Sequence, residues 1–277
     1  MIEKYPLRIY VEPKMQTSSL VVGWSQDAGD LGTKVIDYLI EDLGCQEFGE
    51  IEPADFFPLE GVAVEDDVAQ FPESRFYWCP EKNLVVFKSN PPTSRWYKFL
   101  NCILDVAQDY CHSKELYTVG GMVYFSAHTT PRELLTTASL LEMKQILSRY
   151  DLARDTNYET PPGQRPTLNS FLLWVAKRRN VAAANLWVPI PFYLVGAEDP
   201  GASWKTIEFL DRRLGLGIDF KDLDEEMARQ NERIAQLRIT LPEIDTYISR
   251  LESNLSLTQE ESEKLAREVE EFLRKKD

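Results

Sequence analysis

The sequence predicts an α/β sandwich with a central, largely parallel or mixed sheet, followed by a small helical appendage. Three observations carry that expectation. Short apolar runs such as Leu20-Val21-Val22 alternate with amphipathic stretches over the first 215 residues, as in a sheet covered on both faces. Gly23, Gly29 and Gly32 stand where the first such run gives way to a helix, and a turn there needs positive φ angles or a close backbone approach. From Asp219 the pattern changes to a 4-3 rhythm through Leu223, Met227, Gln230, Ile234, Leu237, Leu241, Ile244, Ile248, Leu251 and Leu255, the spacing of packed helices. The predicted boundary gives an α/β domain over 1–218 and a helical appendage over 219–277.

In chain order, residues 7–12 and 19–23 read as neighbouring strands joined by a turn at Pro13 to Thr17. Leu31, Val35, Tyr38, Leu39 and Leu43 recur at helical spacing in a helix over 28–43, with Gly44 as its C-cap. Short strands are expected over 45–51 and near 54–57, then an acidic loop over 58–72. Residues 75–79 and 84–88 form a predicted hairpin around Pro80 to Asn83. Ser94 is the expected N-cap of a helix over 95–111, whose apolar side carries Trp96, Phe99, Leu100, Ile103, Leu104 and Ala107. Residues 116–125 read as a buried strand containing Gly120-Gly121, and Thr130-Pro131 opens a predicted helix to about Tyr150.

Residues 155–167 read as a loop, and Thr167 caps a helix over 168–179. The strand 181–188 is expected to break at Pro189-Ile190-Pro191. A helix over 202–214 ends at Gly215 and Gly217. In the appendage, Pro242 divides the rhythm into two helices near Thr240-Leu241. Thr258 with Glu261 makes a capping box for a last helix to about Lys276. The apolar stripes of these helices can pack within one chain or form a seam between two chains.

The chain carries 31 Lys and Arg against 45 Asp and Glu, a formal charge of −14. Such a surface repels phosphate backbones, so nucleic acid and anionic membrane are not expected partners. Twelve acidic residues and no Lys or Arg lie between Asp37 and Glu73. That stretch is either a solvated face or a dock for a basic surface. No long apolar run suggests a membrane span, and Met1 to Pro6 lacks the opening of a signal peptide. The expectation is a cytoplasmic protein. Cys45, Cys79, Cys102 and Cys111 form no C-x-x-C pair, and His112 and His128 are the only histidines. The cysteines therefore read as reduced, mostly buried thiols, with neither a metal site nor a cofactor.

Two segments invite a chemical reading. The turn 23–32 opens a helix, as phosphate loops do. It matches neither glycine-rich fingerprint, however, and Asp27 and Asp30 would repel a phosphate. Capping of the helix by one of these carboxylates is the expected role. His128 follows a strand end, where α/β sheets bind ligands, yet no motif pairs it with a Ser or Cys nucleophile.

The residues Gly23-Trp24-x-x-Asp27-Ala28-Gly29, followed by a helix with Tyr38-Leu39, resemble the proteasome assembly chaperone 2 (PAC2) family. Many members carry Pro-His-Thr-Arg-Pro where this chain keeps His128, Thr129 and Pro131 but has Ala127 and Thr130. The missing guanidinium removes a fork for an anion or a cross-subunit carboxylate; Arg132 can replace it only from a shifted position. Leu186-Trp187-x-Pro189-x-Pro191-x-Tyr193 is similar to a third family segment, with Phe192 where a His often stands. The resemblance spans about residues 18–255.

It implies a three-layer α/β sandwich similar to nucleoside phosphorylases, with a mixed central sheet and a C-terminal helical extension. It also implies self-association and a non-enzymatic, chaperone-like role in protein assembly, with another protein complex as client. Gly23, Trp24, Asp27, Gly29, His128, Thr129 and Tyr193 are the expected ligand- or partner-binding residues. Two alternatives remain open. One is an enzyme of nucleoside-phosphorylase or ATP-grasp-like type, for which the Arg and Glu pairs and the phosphate loop are missing. The other is a small-molecule-binding scaffold using a cleft near Gly23 and His128. Archaeal relatives that engage proteasomes end in a hydrophobic-Tyr-x tripeptide. This sequence ends Lys275-Lys276-Asp277, so that docking mode is not expected.

Overall fold

The computed structural model describes residues 2–57, 63–65, 67–153 and 159–275. The strands are β1 (Ile2–Lys4), β2 (Leu7–Ile9), β3 (Ser18–Trp24), β4 (Gln46–Ile51), β5 (Ala63–Glu65), β6 (Val68–Gln70), β7 (Ser74–Cys79), β8 (Leu84–Ser89), β9 (Ser113–Tyr124), β10 (Leu135–Ala138) and β11 (Ala182–Pro191). The helices are α1 (Leu31–Asp42), α2 (Trp96–Asp105), α3 (Leu141–Leu147), α4 (Leu168–Arg178), α5 (Pro200–Leu214), α6 (Lys221–Thr240), α7 (Pro242–Glu252) and α8 (Gln259–Arg274). Nine strands form one sheet in the order β1-β2-β4-β7-β8-β3-β9-β11-β10. Strand β3 runs parallel to β8 and β9, while β1, β2, β4, β7 and β8 pair antiparallel in succession. The sheet is therefore mixed, as expected.

The chain divides into two compact units. The first comprises Met1–Gln26, Gly32–Val119 and Leu135–Leu186; the second comprises Asp27–Leu31, Gly120–Leu134 and Trp187–Asp277.

In the first unit, strand parity sorts side chains between two helical layers. Leu20, Val22, Val85, Phe87 and Leu116 join Phe99, Ile103, Leu172 and Ala176 of α2 and α4 in one apolar core. On the other face α1 presses against β3: a Cβ at Gly23 would lie 2.4 Å from Ile36 Cγ1 and 2.5 Å from the Gly32 carbonyl oxygen. Only glycine permits that approach. Within the core Thr118 Oγ1 pairs with Asn185 Oδ1 at 2.6 Å, while the buried Thr33 hydroxyl has no hydrogen-bond partner among the described residues.

Several expectations for this unit are corrected. Strands β2 and β3 are not neighbours: β2 lies between β1 and β4. Residues 54–57 are not a strand: a 3-10 turn over Pro53–Asp55 leads into Phe56 and Phe57, which are buried. Within 58–72 the described residues contain the β5–β6 hairpin rather than a loop; 58–62 and 66 lie outside the description. Ser94 does not cap α2. Arg95 precedes the helix in a left-handed conformation (φ 51°), and the Ser94 hydroxyl donates to the Asp55 carbonyl at 3.2 Å. After Asp105 the helix continues as a π turn over Val106–Tyr110.

The predicted helix from Thr130 is instead an irregular segment, then β10, then α3. The β-branched Thr136 and Thr137 fit a strand. Strand β11 runs through Pro189 to Pro191. Alternate residues point their N–H groups to one edge, so Pro189 and Pro191 both remove donors from the same edge of the strand. The loop 155–167 is described only from 159, and Thr167 caps α4 through Ser170 N at 3.1 Å, as expected.

The cysteine expectation is half right. Cys102 and Cys111 are free and buried, with thiol pKa values pushed up by burial to about 11 and about 12. Cys45 and Cys79, however, form a disulfide with Cα atoms 4.2 Å apart. They flank the register pair Gln46↔Trp78, so sheet pairing brings together residues 34 apart in sequence. Six carboxylates of the acidic stretch pair with cations of the same unit. Asp37 pairs with Lys88, Glu50 and Glu52 with Arg8, Glu47 and Glu73 with Arg75, and Asp55 with Arg95 and Lys98.

In the second unit, the tail forms the three expected helices. Leu223, Ile234, Leu237, Ile244, Ile248, Leu251, Leu265 and Val269 are buried, so these stripes pack within one chain. The Thr258–Glu261 capping box is present. At the other end of α8, Arg233 of α6 donates to the carbonyls of Phe272, Leu273 and Lys275 at 2.9, 3.2 and 2.6 Å. Those carbonyls have no partner within their own helix. Among the described residues no helix is long and apolar enough to cross a membrane.

Candidate functional site

The second unit brings together His128, Thr129 and Tyr193. His128 lies in the turn after β9, and Tyr193 in a 3-10 turn over Phe192–Leu194 that follows β11. The Tyr193 hydroxyl accepts the backbone N–H of His128 at 2.5 Å and lies 2.8 Å from its Nδ1. Which of the hydroxyl and Nδ1 donates follows the tautomer of the ring. Burial lowers the His128 pKa to about 4, helped by the positive charges of Arg132 and Arg238 and opposed by Glu252. Burial likewise pushes the Tyr193 phenol well above its ordinary value. Both groups are therefore neutral at pH 7.

The residues around them brace this turn. Arg132 places Nε and Nη2 on Asp199 Oδ2 at 3.0 and 2.9 Å and Nη1 on the Thr130 carbonyl at 2.7 Å. The two side chains are only 9% and 2% exposed. Asp199 also caps α5, its Oδ1 accepting from Ala202 N at 3.1 Å. Thr129 Oγ1 donates to Glu252 Oε1 at 3.0 Å, and Arg238 holds the same carboxylate at 2.8 Å. Arg132 thus spends its guanidinium inside its own unit, on Asp199 and on loop carbonyls. No described Ser or Cys side chain bonds to His128, so the arrangement lacks a nucleophile–base pair. Its polar atoms position a loop.

Asp27 and Gly29 belong to the same unit. Asp27 precedes a 3-10 turn over Ala28–Asp30, and its side chain does not cap that turn. Its Oδ2 accepts from Gly121 N at 2.8 Å. Gly121 cannot carry a side chain, because a Cβ would lie 2.1 Å from the Ala28 carbonyl oxygen. Gly29 adopts φ 67°, where a side chain brings strain. Gly23 and Trp24 fall in the first unit, and both are buried. Trp24 Nε1 donates to Asn169 Oδ1 at 2.5 Å, and Asn169 Nδ2 donates to the Val119 carbonyl at 3.3 Å. Among the described residues no group of three His, Cys, Asp or Glu side chains is placed to hold a metal ion.

Sequence reasoning missed the end of β9. Met122, Val123, Tyr124 and Phe125 were expected inside a buried strand, but they are 37, 51, 53 and 70% exposed. The Phe125 ring lies tilted against Phe192, with centroids 5.0 Å apart and planes at 30°. Four adjacent apolar residues after Gly-Gly carry no alternation, so their exposure could not be read from periodicity.

The fold has relatives of known structure. A protein of unknown function from Mycobacterium tuberculosis matches with a TM-score of 0.78 at 14% identity, over 91% of this chain and 90% of that one. PbaB of Pyrococcus furiosus, an archaeal proteasome activator, matches with a TM-score of 0.67 at 19% identity, over 84% and 98%. PbaA of the same organism, an archaeal homolog of proteasome-assembly chaperone, matches at 0.65 and 17%, over 91% and 100%. At these identities the likeness is one of fold. No curated protein matches the chain. The PAC2 family model matches residues 20–238, which include the Asp27-Ala28-Gly29 turn, His128 and Tyr193; the chain belongs to the PAC2 family.

Proposed function

We propose that this protein is a non-enzymatic, chaperone-like assembly protein that binds other proteins through the exposed end of β9. The observation that carries this reading is the run Met122 to Phe125. Side chains alternate between faces along a strand, so consecutive exposure means that neither face is covered there. Contiguous exposed apolar residues mark interaction sites on soluble proteins. The neutral, mutually bonded His128 and Tyr193 support a binding role over catalysis, since they hold the turn that follows this strand. The fold shared with PbaA and PbaB supports assembly as the purpose of binding. Self-association is part of the proposal, because the same run offers a surface to a second copy.

The test is a comparison of wild type with Tyr124→Ser/Phe125→Ser, both checked for a native melting transition. Wild type is expected to recover a defined client complex from cell extract and to show a light-scattering mass above the 32.0 kDa of one chain. The double variant is expected to lose the client. Equal recovery by both would overturn the assignment of this surface. Turnover of a nucleoside or ATP that disappears in folded His128→Ala would overturn the non-enzymatic reading.

A further inference from the structure

We propose that the outer face of α2 and α4, in the first unit, is a second docking surface, built for an acidic peptide segment with a proline anchor. Helix α4 buries Leu172, Leu173, Val175 and Ala176. Its opposite stripe carries Phe171, Trp174 and Arg178 at helical spacing. A surface helix ordinarily shows polar residues on that stripe, yet Trp174 is 45% exposed and Tyr97 of α2 is 51% exposed. The rings form one ladder. Phe171 stacks on Trp174 with centroids 5.2 Å apart and planes at 20°. Trp96 lies 6.1 Å from Phe171, and Tyr97 lies 5.9 Å from Trp174. The Arg178 guanidinium sits over Trp174 at 5.2 Å.

Beside the ladder lies a groove of about 420 Å³, lined by Arg95, Trp96, Arg165, Pro166 and Phe171 among others and by no carboxylate. Aromatic-walled grooves of this kind accept proline rings, whose extended chains lose little entropy on binding. Charge selects the flanks of the ligand. Arg165, Lys177 and Arg178 surround the ladder in a chain of net charge −14, and no described carboxylate forms an ion pair with Lys177 or Arg178. Tryptophan, tyrosine and arginine clusters are also where interfaces concentrate binding energy. A single-stranded nucleic acid fits less well. Phe171 lies between two rings, and Trp174 has Phe171 and Arg178 against it, so the ladder offers edges rather than open faces for base stacking.

The surface is independent of the end of β9. The experiment uses the full chain and a fluorescent peptide, Asp-Glu-Pro-Pro-Glu-Asp, with Lys-Lys-Pro-Pro-Lys-Lys as its charge-reversed control. Anisotropy is expected to show binding of the acidic peptide alone, weakened by salt. Trp174→Ala is expected to weaken it by about tenfold or more, and Arg178→Glu to do the same without removing a ring from the fold. Tyr124→Ser/Phe125→Ser keeps the binding, which separates this result from that of the assembly surface. No binding of the acidic peptide, equal binding of the basic one, or unchanged affinity in Arg178→Glu would each overturn the proposal. So would tighter binding of a single-stranded oligonucleotide, or a dimer that Trp174→Ala dissolves.

Discussion

The two units place their charges differently: the first keeps its ion pairs at the surface, and the second buries one. In the first, Phe76, Phe87 and Phe99 are wholly buried and pack ring against ring around β7, β8 and α2. Its buried polar pairs, such as Thr118 with Asn185, are uncharged, and its ion pairs, such as Asp37 with Lys88 and Asp55 with Lys98, lie toward the surface. In the second, guanidinium groups tie segments to one another: Arg132 to Asp199, Arg238 to Glu252 and Asp245, Arg250 to Glu261, and Arg233 to the end of α8. Exposed ion pairs contribute little and are screened by salt, whereas a buried pair is costly to break. The unit that presents His128 and the exposed end of β9 is therefore the one whose stability depends on a buried ion pair, Arg132 with Asp199.

The largest test of this contrast is Phe87→Ala. It removes a ring that touches Trp24, Phe76 and Phe99, and such a cavity costs about 3–5 kcal/mol. Chemical denaturation is expected to show that loss unchanged between low and high salt. Next comes Asp199→Ala, which leaves Arg132 buried without its partner and uncaps α5; breaking a buried pair costs about 3–5 kcal/mol. The double variant Arg132→Met/Asp199→Ala is expected to regain part of the loss. If it is no more stable than Asp199→Ala, the buried charge is not the source of the cost.

The third effect is a pH dependence. His128 has a folded pKa of about 4 against an ordinary 6.5. Above pH 6.5 the ring is neutral in both states and contributes nothing. As pH falls from 6.5 toward 4 the unfolded chain takes up the proton first, so stability drops, by up to about 3 kcal/mol. Denaturation of His128→Asn across that window is expected to follow a shallower slope than wild type; parallel slopes would remove His128 as the cause. The smallest effect is Thr258→Ala, which opens the capping box of α8 and is expected to cost about 1 kcal/mol by thermal melting.

The sequence revealed elements whose signals are local. The cap at Thr167, the capping box at Thr258 and the split at Pro242 each depend on neighbours within a turn, and each appears where expected. Signals that depend on distant pairing failed. Nothing near Leu7 says that its strand joins β4 rather than β3, and nothing near Cys45 names Cys79. At the site, His128 and Tyr193 were both singled out, yet their hydrogen bond spans 65 positions and needed the folded chain to show it. Arg132 was weighed only as a stand-in for a missing arginine, because its true partner, Asp199, lies 67 positions away. The aromatic ladder did have a local sign. Trp174 falls on the polar side of the stripe that Leu172, Leu173 and Val175 define.

The Cys45–Cys79 bond closes a covalent ring around β4, the β5–β6 hairpin and β7. A protease that cuts once between 46 and 78 therefore opens the ring without releasing a fragment. The nicked chain keeps its full mass on a non-reducing gel and falls into two pieces only when a thiol is added.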